Sequence, residues 1–307
     1  MIGEARKILI TGNTGRVGLV LAERLAKVSE VWGLSRYSRP GSLEQAIALG
    51  VNPVQADISR GELPPFPSDF DLVIHLAEAT APATAAEGLA ANCEGVARVM
   101  QHCRKARAFL FLSSAFVYKP AADPAHAFME TDDIGSNYGG QYAPTKVTGE
   151  AAVRAGSIVY GIPAIICRAN LIYGSGCGQG LIDGAIARLV AGEDIPVPPD
   201  GPMYVSPLYI DDIFDLLEPS FRLASNPPRV LNWGGDEVVE WRELLDFAGT
   251  LIGKSPRYVA DPNLSGASRV QDPALRRSVA GPLPTGWQTG VRELLERICP
   301  QLLAKNT

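Results

Sequence analysis

Apolar residues enter this chain as short unbroken runs: 7–11, 30–35, 52–56, 72–76 and 109–112 each read as a strand with both faces buried. Between them lie segments with helical spacing, one from Val17 to about Lys27, one over 43–49, and an alanine-rich stretch that reaches Arg104. A proline-rich loop at 63–67 precedes the fourth strand. Strands that alternate with helices and carry no polar face predict a parallel sheet covered on both sides. Right-handed crossovers then give it a doubly wound order.

Past a polar loop at 123–140, the pattern gives a helix from Tyr142 to about Ala155 and a strand over 164–167 that ends at Arg168. It then loosens. The 174–180 stretch is a glycine-dense loop, 181–191 is helical, and the prolines of 196–202 argue against regular structure there. A short strand at 208–210 enters a helix from Asp211 that Pro219 should kink or end. A strand at 230–232, a helix at 241–252 and a last helix near 291–298 complete the chain, with Trp287 in a loop set by Pro284 and Gly286. The fold class expected is α/β: a Rossmann doubly wound parallel sheet over 1–173 and a small, interleaved C-terminal substrate-binding cap over 174–307. Segments around 208–240 are expected to return to the sheet.

Composition narrows the function. Hydrophobic residues at 46% and charged residues at 20% fit a globular chain rather than a disordered one. A net charge of -5 without a basic run speaks against nucleic acid as a partner. No uninterrupted apolar segment is long enough for a bilayer and no leader precedes the first strand, so a cytoplasmic location away from membranes is expected. Five cysteines (Cys93, Cys103, Cys167, Cys177, Cys299) lack metal-ligand spacing, which predicts free thiols and no metal site.

Directly after the first strand, Gly12-Asn13-Thr14-Gly15-Arg16-Val17-Gly18 sets glycines at three-residue intervals. In this position the first permits a tight turn, the second lets backbone approach a pyrophosphate, and the third lets the helix pack on the sheet, with its N-terminus facing the negative charge. The turn therefore predicts a dinucleotide site. The second strand ends in Ser35 and Arg36, with Arg39 nearby, where an acidic residue would favour NAD. A guanidinium instead offers a fork for a 2'-phosphate, so NADP is expected, with NAD as the alternative. The plainer account leaves Arg36 and Arg39 as solvent-facing charges. Asp57, followed by Ile58 after the third strand, either accepts from an adenine amino group or caps the turn into Ser59. His75, Leu76 and Ala77 close the fourth strand at the cofactor crevice, where His75 is as readily structural as chemical. Asn92 in the next helix is either a polar tie or a cofactor contact.

Tyr142 and Lys146 stand four apart, on one face of the predicted helix, and Pro144 between them is tolerable only in its first turn. A phenol beside an ammonium becomes a usable general acid/base. Ser114 ends the fifth strand, where a hydroxyl can hold the substrate oxygen during hydride transfer. Taken singly each residue reads as ordinary; together, downstream of the glycine turn, they predict proton transfer coupled to a nicotinamide.

These motifs make the chain resemble the extended short-chain dehydrogenase/reductase superfamily, in its NAD-dependent epimerase/dehydratase-like branch. Residues 11–18 are similar to its glycine turn, Asp57 to its adenine-side acid, 75–77 to its HLA run, and Ser114, Tyr142 and Lys146 to its catalytic triad. Arg168 to Gly174 resembles its RxxNxYG loop, which implies a nicotinamide-side role for Asn170; 209–212 resembles its HVDD element and 232–234 its NxG strand. The resemblance implies an enzyme that pairs as a homodimer, often through the tyrosine-bearing helix. Ala115 and Phe116 replace the acidic pair of the dehydratases, and Val205 stands where epimerases place a diphosphate-binding arginine, leaving only Arg188 and Arg269 as nearby candidates. The expectation is thus an NADP-linked oxidoreductase acting on a carbonyl or secondary alcohol, with a sugar-nucleotide epimerase holding NAD as the alternative and a non-catalytic dinucleotide sensor behind both.

Overall fold

The computed structural model describes residues 6–136, 138–176, 179–264 and 266–303. Its first half runs β1 (Lys7–Thr11), α1 (Arg16–Leu25), β2 (Glu30–Ser35), α2 (Ser42–Ala48), β3 (Asn52–Gln55) and β4 (Leu72–His75). There follow α3 (Ala85–Leu89), a π-helical turn at Ala90–Glu94, α4 (Gly95–His102), β5 (Ala108–Ser114), β6 (Ala127–Phe128), α5 (Tyr142–Tyr160), β7 (Ala164–Ala169) and β8 (Ile172–Tyr173). The remainder comprises α6 (Leu181–Ala191), β9 (Asp194–Val197), β10 (Tyr204–Val205), β11 (Leu208–Tyr209), α7 (Asp212–Arg222), β12 (Arg229–Trp233), β13 (Val239–Glu240), α8 (Trp241–Ile252) and β14 (Arg257–Ala260). β15 (Val270–Gln271), α9 (Ala274–Ala280), α10 (Trp287–Ile298) and α11 (Pro300–Leu303) close it.

Seven strands form one parallel sheet in the order β12-β7-β5-β4-β1-β2-β3. The order reverses between β1 and β4, the place where an open α/β sheet leaves a crevice at its carboxyl edge. Successive side chains of β1 enter opposite cores, Ile8 and Ile10 among α1 and α7, Leu9 among α4 and α5. A third core holds α6, α8 and α10 together as the cap. The cap is interleaved with the sheet: β12 and α7 belong to the sheet layers, while β15 pairs with β6 from the first half.

Several boundaries differ from the sequence reading. α5 runs to Tyr160 because Gly156 is a close-packing point, where a Cβ would lie 2.6 Å from Met100 Sδ, and not a stop. Pro196 does sit in a strand, β9, which tolerates it because it belongs to a ribbon of two strands paired with β14. Pro219 lies inside α7, which continues to Arg222 by burying Leu216, Leu217, Ser220 and Phe221. Trp287 is not in a loop: it opens α10 after Gly286 and packs edge-on against Phe247. Among the described residues no helix is long and apolar enough to cross a membrane, and no group of three or more His, Cys, Asp or Glu is placed to hold a metal. Cys93, Cys103, Cys167 and Cys299 are free thiols; Cys177, with Gly178 of the glycine-dense loop, lies outside the described residues.

Candidate active site

β1 delivers the chain to Gly12, whose φ of +72 lies in the left-handed region. A Cβ on Gly12 would stand 2.9 Å from the Ala77 nitrogen, and one on Gly18 would stand 2.2 Å from the Gly12 carbonyl oxygen. Turn, strand end and helix therefore meet at a distance that only glycine allows. α1 begins after Gly15 with no side-chain cap and no acidic residue in its first turn, which leaves its first N–H groups and positive dipole end open to an anion. Asn13 is buried below, its Oδ1 accepting from the hydroxyls of Ser35 (2.7 Å) and Tyr37 (3.2 Å). Thr14 is half-buried, Val17 joins the core, and Arg16 reaches across to donate to the Ile172 carbonyl.

The other dinucleotide candidates are largely engaged within the protein. Asp57 Oδ1 accepts from the Ser59 hydroxyl (2.6 Å) and amide (3.0 Å), so it caps its own turn. Burial works to raise its pKa, but those bonds and the charges of Arg36 and Arg60 outweigh it and hold the carboxyl low. Ile58 packs beneath α4. Leu76 and Ala77 donate their amides to Thr11 Oγ1, each at 3.2 Å. His75, buried between Phe109 and Phe111, meets the same hydroxyl through Nδ1 at 3.0 Å. Asn92 is a polar tie: it accepts from the Ala79 amide and donates to the Ala79 carbonyl and to Thr145 Oγ1. Asn170 donates to the Arg269 carbonyl at 2.6 Å, on the cap side.

Ser114, Tyr142 and Lys146 are brought together. Tyr142 is the first residue of α5, with Pro144 in its first turn, and its phenol meets the Ser114 hydroxyl at the end of β5. Lys146 is buried one turn on, donates to the Leu112 carbonyl at 2.5 Å and lies 4.5 Å over the Phe111 ring. Burial pushes the phenol pKa up, the Glu78 carboxyl pushes it further, and Ser114 and Arg16 pull the other way. Glu78, which sequence reasoning missed, pairs with Lys146 at 2.9 Å. Its only signal in the sequence was its place three residues past the paired end of β4.

On the cap side, Arg188 is exposed and held to Asp194 and Glu193 of its own loop. Arg269 is buried and bridges Val205 in parallel register. Its guanidinium donates to the Gly266 and Ser268 carbonyls and to Ser136 Oγ, lies 5.5 Å from the Phe116 ring, and has Nε without a partner. Among the described residues no carboxylate pairs with it, and burial lowers its pKa to about 10. Phe116 stacks on Tyr138 at 4.2 Å, two residues from Ser114. Tyr173 does not join them; it is buried against Tyr209 and α10.

A doubly wound sheet with a glycine turn at its switch point and a Ser/Tyr/Lys cluster on the adjoining strand and helix defines a nicotinamide-dependent enzyme of the oxidoreductase/epimerase class. Residues 8–232 match the model of the NAD dependent epimerase/dehydratase family, and the chain belongs to that family. It is 23% identical over 322 residues to the trifunctional UDP-glucose 4,6-dehydratase/UDP-4-keto-6-deoxy-D-glucose 3,5-epimerase/UDP-4-keto-L-rhamnose-reductase RHM3 of Arabidopsis thaliana, a match covering 95% of this chain. The chain spans about half the length of that relative, 47% of it. Its fold is shared with UDP-glucuronic acid 4-epimerase of Bacillus cereus in complex with UDP-glucuronic acid and NAD, at TM-score 0.80 and 20% identity over 96% of this chain and 99% of that one. MoeE5 in complex with UDP-glucose and NAD gives 0.79 and 21% over 95% and 98%. UDP-glucose 4-epimerase of Thermotoga maritima with UDP-glucose gives 0.79 and 17% over 96% and 99%.

The expectation of NADP is corrected by these matches, since the Bacillus cereus epimerase and MoeE5 hold NAD. In the structure Ser35 and Arg36 stand in different surroundings. The Ser35 hydroxyl is engaged by Asn13, and Tyr37, buried at φ 49, bonds through its hydroxyl to Gly33 and Asn13. Arg36 is left exposed, with its charge acting on Asp57.

Proposed function

We propose that this chain is an NAD-dependent epimerase of nucleoside-diphosphate sugars, with Tyr142 as its general acid/base. The observation that carries the reading is the convergence of Ser114, Tyr142 and Lys146 beside the glycine turn. The turn suits a pyrophosphate: Gly12 and Gly18 have no room for a side chain, and the uncapped start of α1 offers N–H groups. When bound, NAD would accept a hydride from a sugar carbon and return it. Tyr142 would take the proton from the sugar hydroxyl and give it back, Ser114 would hold that oxygen, and Lys146 would place a positive charge by the phenol. Gly12 to Gly18, with Leu76 and Ala77 at the β4 end, would hold the dinucleotide. Ser35, Arg36, Asp57, Ile58, Asn92 and Asn170 would shape its surroundings.

The apolar residues around Val205 argued for an uncharged substrate. Arg269 supports the other reading, because it lies in register beside Val205 and its guanidinium meets only neutral acceptors among the described residues. A buried guanidinium without a counter-ion is costly, and a diphosphate is the group it is shaped to receive. Ala115 and Phe116, both buried in a 3-10 turn, offer no acid for loss of water, which favours epimerisation over dehydration. We infer a homodimer paired through α5, with neither nucleic acid nor membrane among its partners.

The test is direct. Purified protein is assayed for bound NAD and incubated with UDP-glucose, UDP-galactose or UDP-glucuronic acid while the anomeric signals are followed by nuclear magnetic resonance. The expected result is interconversion without net NADH release, and UDP affinity lowered about tenfold or more by Arg269→Gln. Reduction of a phosphate-free carbonyl with stoichiometric loss of NADH, and no binding of UDP, would overturn it.

A further inference from the structure

Glu78 has no part in the scheme above, yet the fold holds it firmly inside the site. Its Oε2 lies 2.9 Å from Lys146 Nζ and its carboxyl reaches the Tyr142 phenol. The residues on either side of it are fixed from both directions. Ala77 donates to Thr11 and abuts Gly12, while Ala79 is clamped at both its N–H and its carbonyl by Asn92. Asn92 passes its other amide proton to Thr145, the neighbour of Lys146, so the Glu78 loop and the catalytic helix are tied as one piece. The π-helical turn that carries Asn92 is an irregularity of the kind found at functional sites.

The charged and titratable groups facing the phenol and the ammonium come from four elements. They are Glu78 and His75 from β4 and its loop, Arg16 from α1, the Ser114 hydroxyl from β5, and the two groups of α5 themselves. His75 is neutral, because burial and the Lys146 charge depress it to about 3. Glu78 is therefore the negative charge that this set places by the phenol. For proton abstraction alone it is the wrong charge, since it opposes phenolate formation. Lys146 meets that carboxylate at rest, at 2.9 Å, and a nicotinamide would bring a second positive charge into the site during turnover. The oxidised nicotinamide ring is cationic and becomes neutral on accepting a hydride.

We propose that Glu78 biases the site toward oxidised cofactor, its carboxylate stabilising a cationic nicotinamide beside Tyr142 and Lys146 so that NAD is bound in preference to NADH. This rests on the reading that the cleft takes a nicotinamide dinucleotide, and on nothing about the sugar. The bias suits an enzyme that must begin each turnover with its cofactor oxidised.

The experiment measures dissociation constants of NAD, by calorimetry, and of NADH, by nicotinamide fluorescence, on nucleotide-stripped wild type, E78Q and E78D. E78Q is expected to weaken NAD relative to NADH by roughly tenfold, with E78D restoring most of the ratio. A role in loop structure alone would weaken both nucleotides together, so an unchanged ratio in folded E78Q overturns the proposal. Should E78Q fold poorly by circular dichroism, Glu78→Ser is read in the same way. Binding of neither nucleotide by the wild type would overturn the nicotinamide reading as well, which separates the two failures.

Discussion

Tyr142 is placed where burial works against its own ionisation. With no cofactor bound, its phenol is held protonated by desolvation and by Glu78 against the pull of Ser114 and Arg16. Removing the phenolic hydroxyl, as Tyr142→Phe does, should lower turnover by about 10²- to 10⁴-fold; the NAD retained per chain, read after denaturation, should not change. His75 gives a stability prediction. Its pKa falls to about 3 when folded, from 6.5, so the unfolded chain binds the extra proton between those values. The contribution of His75 is present in full above pH 6.5 and is lost as pH falls toward 3, at about 1.4 kcal/mol per pH unit. His75→Gln should flatten the acid limb of a urea-unfolding series measured from pH 7 to 4. At this scale the meeting of Ser114, Tyr142 and Lys146 in space was legible, because strand ends and a four-residue helical spacing place side chains without reference to the rest of the chain. Glu78 was not, because its meaning comes from a partner 68 residues away, Lys146, and no local period reports that; Arg269 was legible as a candidate alongside Arg188, but its place beside Val205 was not.

Elements are joined by a buried ion pair that the sequence hid equally well. Glu150 of α5 accepts from Arg168 of β7 through both carboxyl oxygens, at 2.9 and 2.8 Å, and from the Ser113 hydroxyl of β5 at 2.6 Å. Burial would lower the arginine's pKa, but Glu150 more than offsets this and keeps it charged. Arg168 thus holds α5 on the sheet. Glu150→Ala leaves that cation unpaired and should cost about 3–5 kcal/mol in denaturant unfolding; Glu150→Ala with Arg168→Met should recover part of the loss. The strands and most helices of the sheet half were legible because apolar runs and helical stripes alternate there. α9 went unread: Ala274–Ala280 buries chiefly Arg276, whose pairing with Asp236 replaces an apolar stripe. The end of α5 went unread because Ile158 and Val159 stand 64% and 72% exposed, on no stripe at all.

At the scale of the molecule, sheet and cap share their joints. Asn232 of β12 accepts from the Tyr118 hydroxyl and from Gln271 Nε2, and donates to the Phe128 carbonyl, so three distant segments meet on one amide. That the cap is interleaved could be read from the apolar runs near 208 and 230; which strands pair could not, since two-residue strands such as β6 and β15 carry no period. The order of the sheet has a further consequence for the chain as it leaves the ribosome. β7 is complete at Ala169, but the strand that covers its outer edge arrives only at Arg229–Trp233. During the interval a nascent chain carries an apolar parallel edge with unpaired N–H and carbonyl groups, the kind of surface that recruits strands from other chains. A fragment ending at residue 173 would keep that edge permanently, and should sediment as aggregate on expression, whereas the full chain should stay in the supernatant.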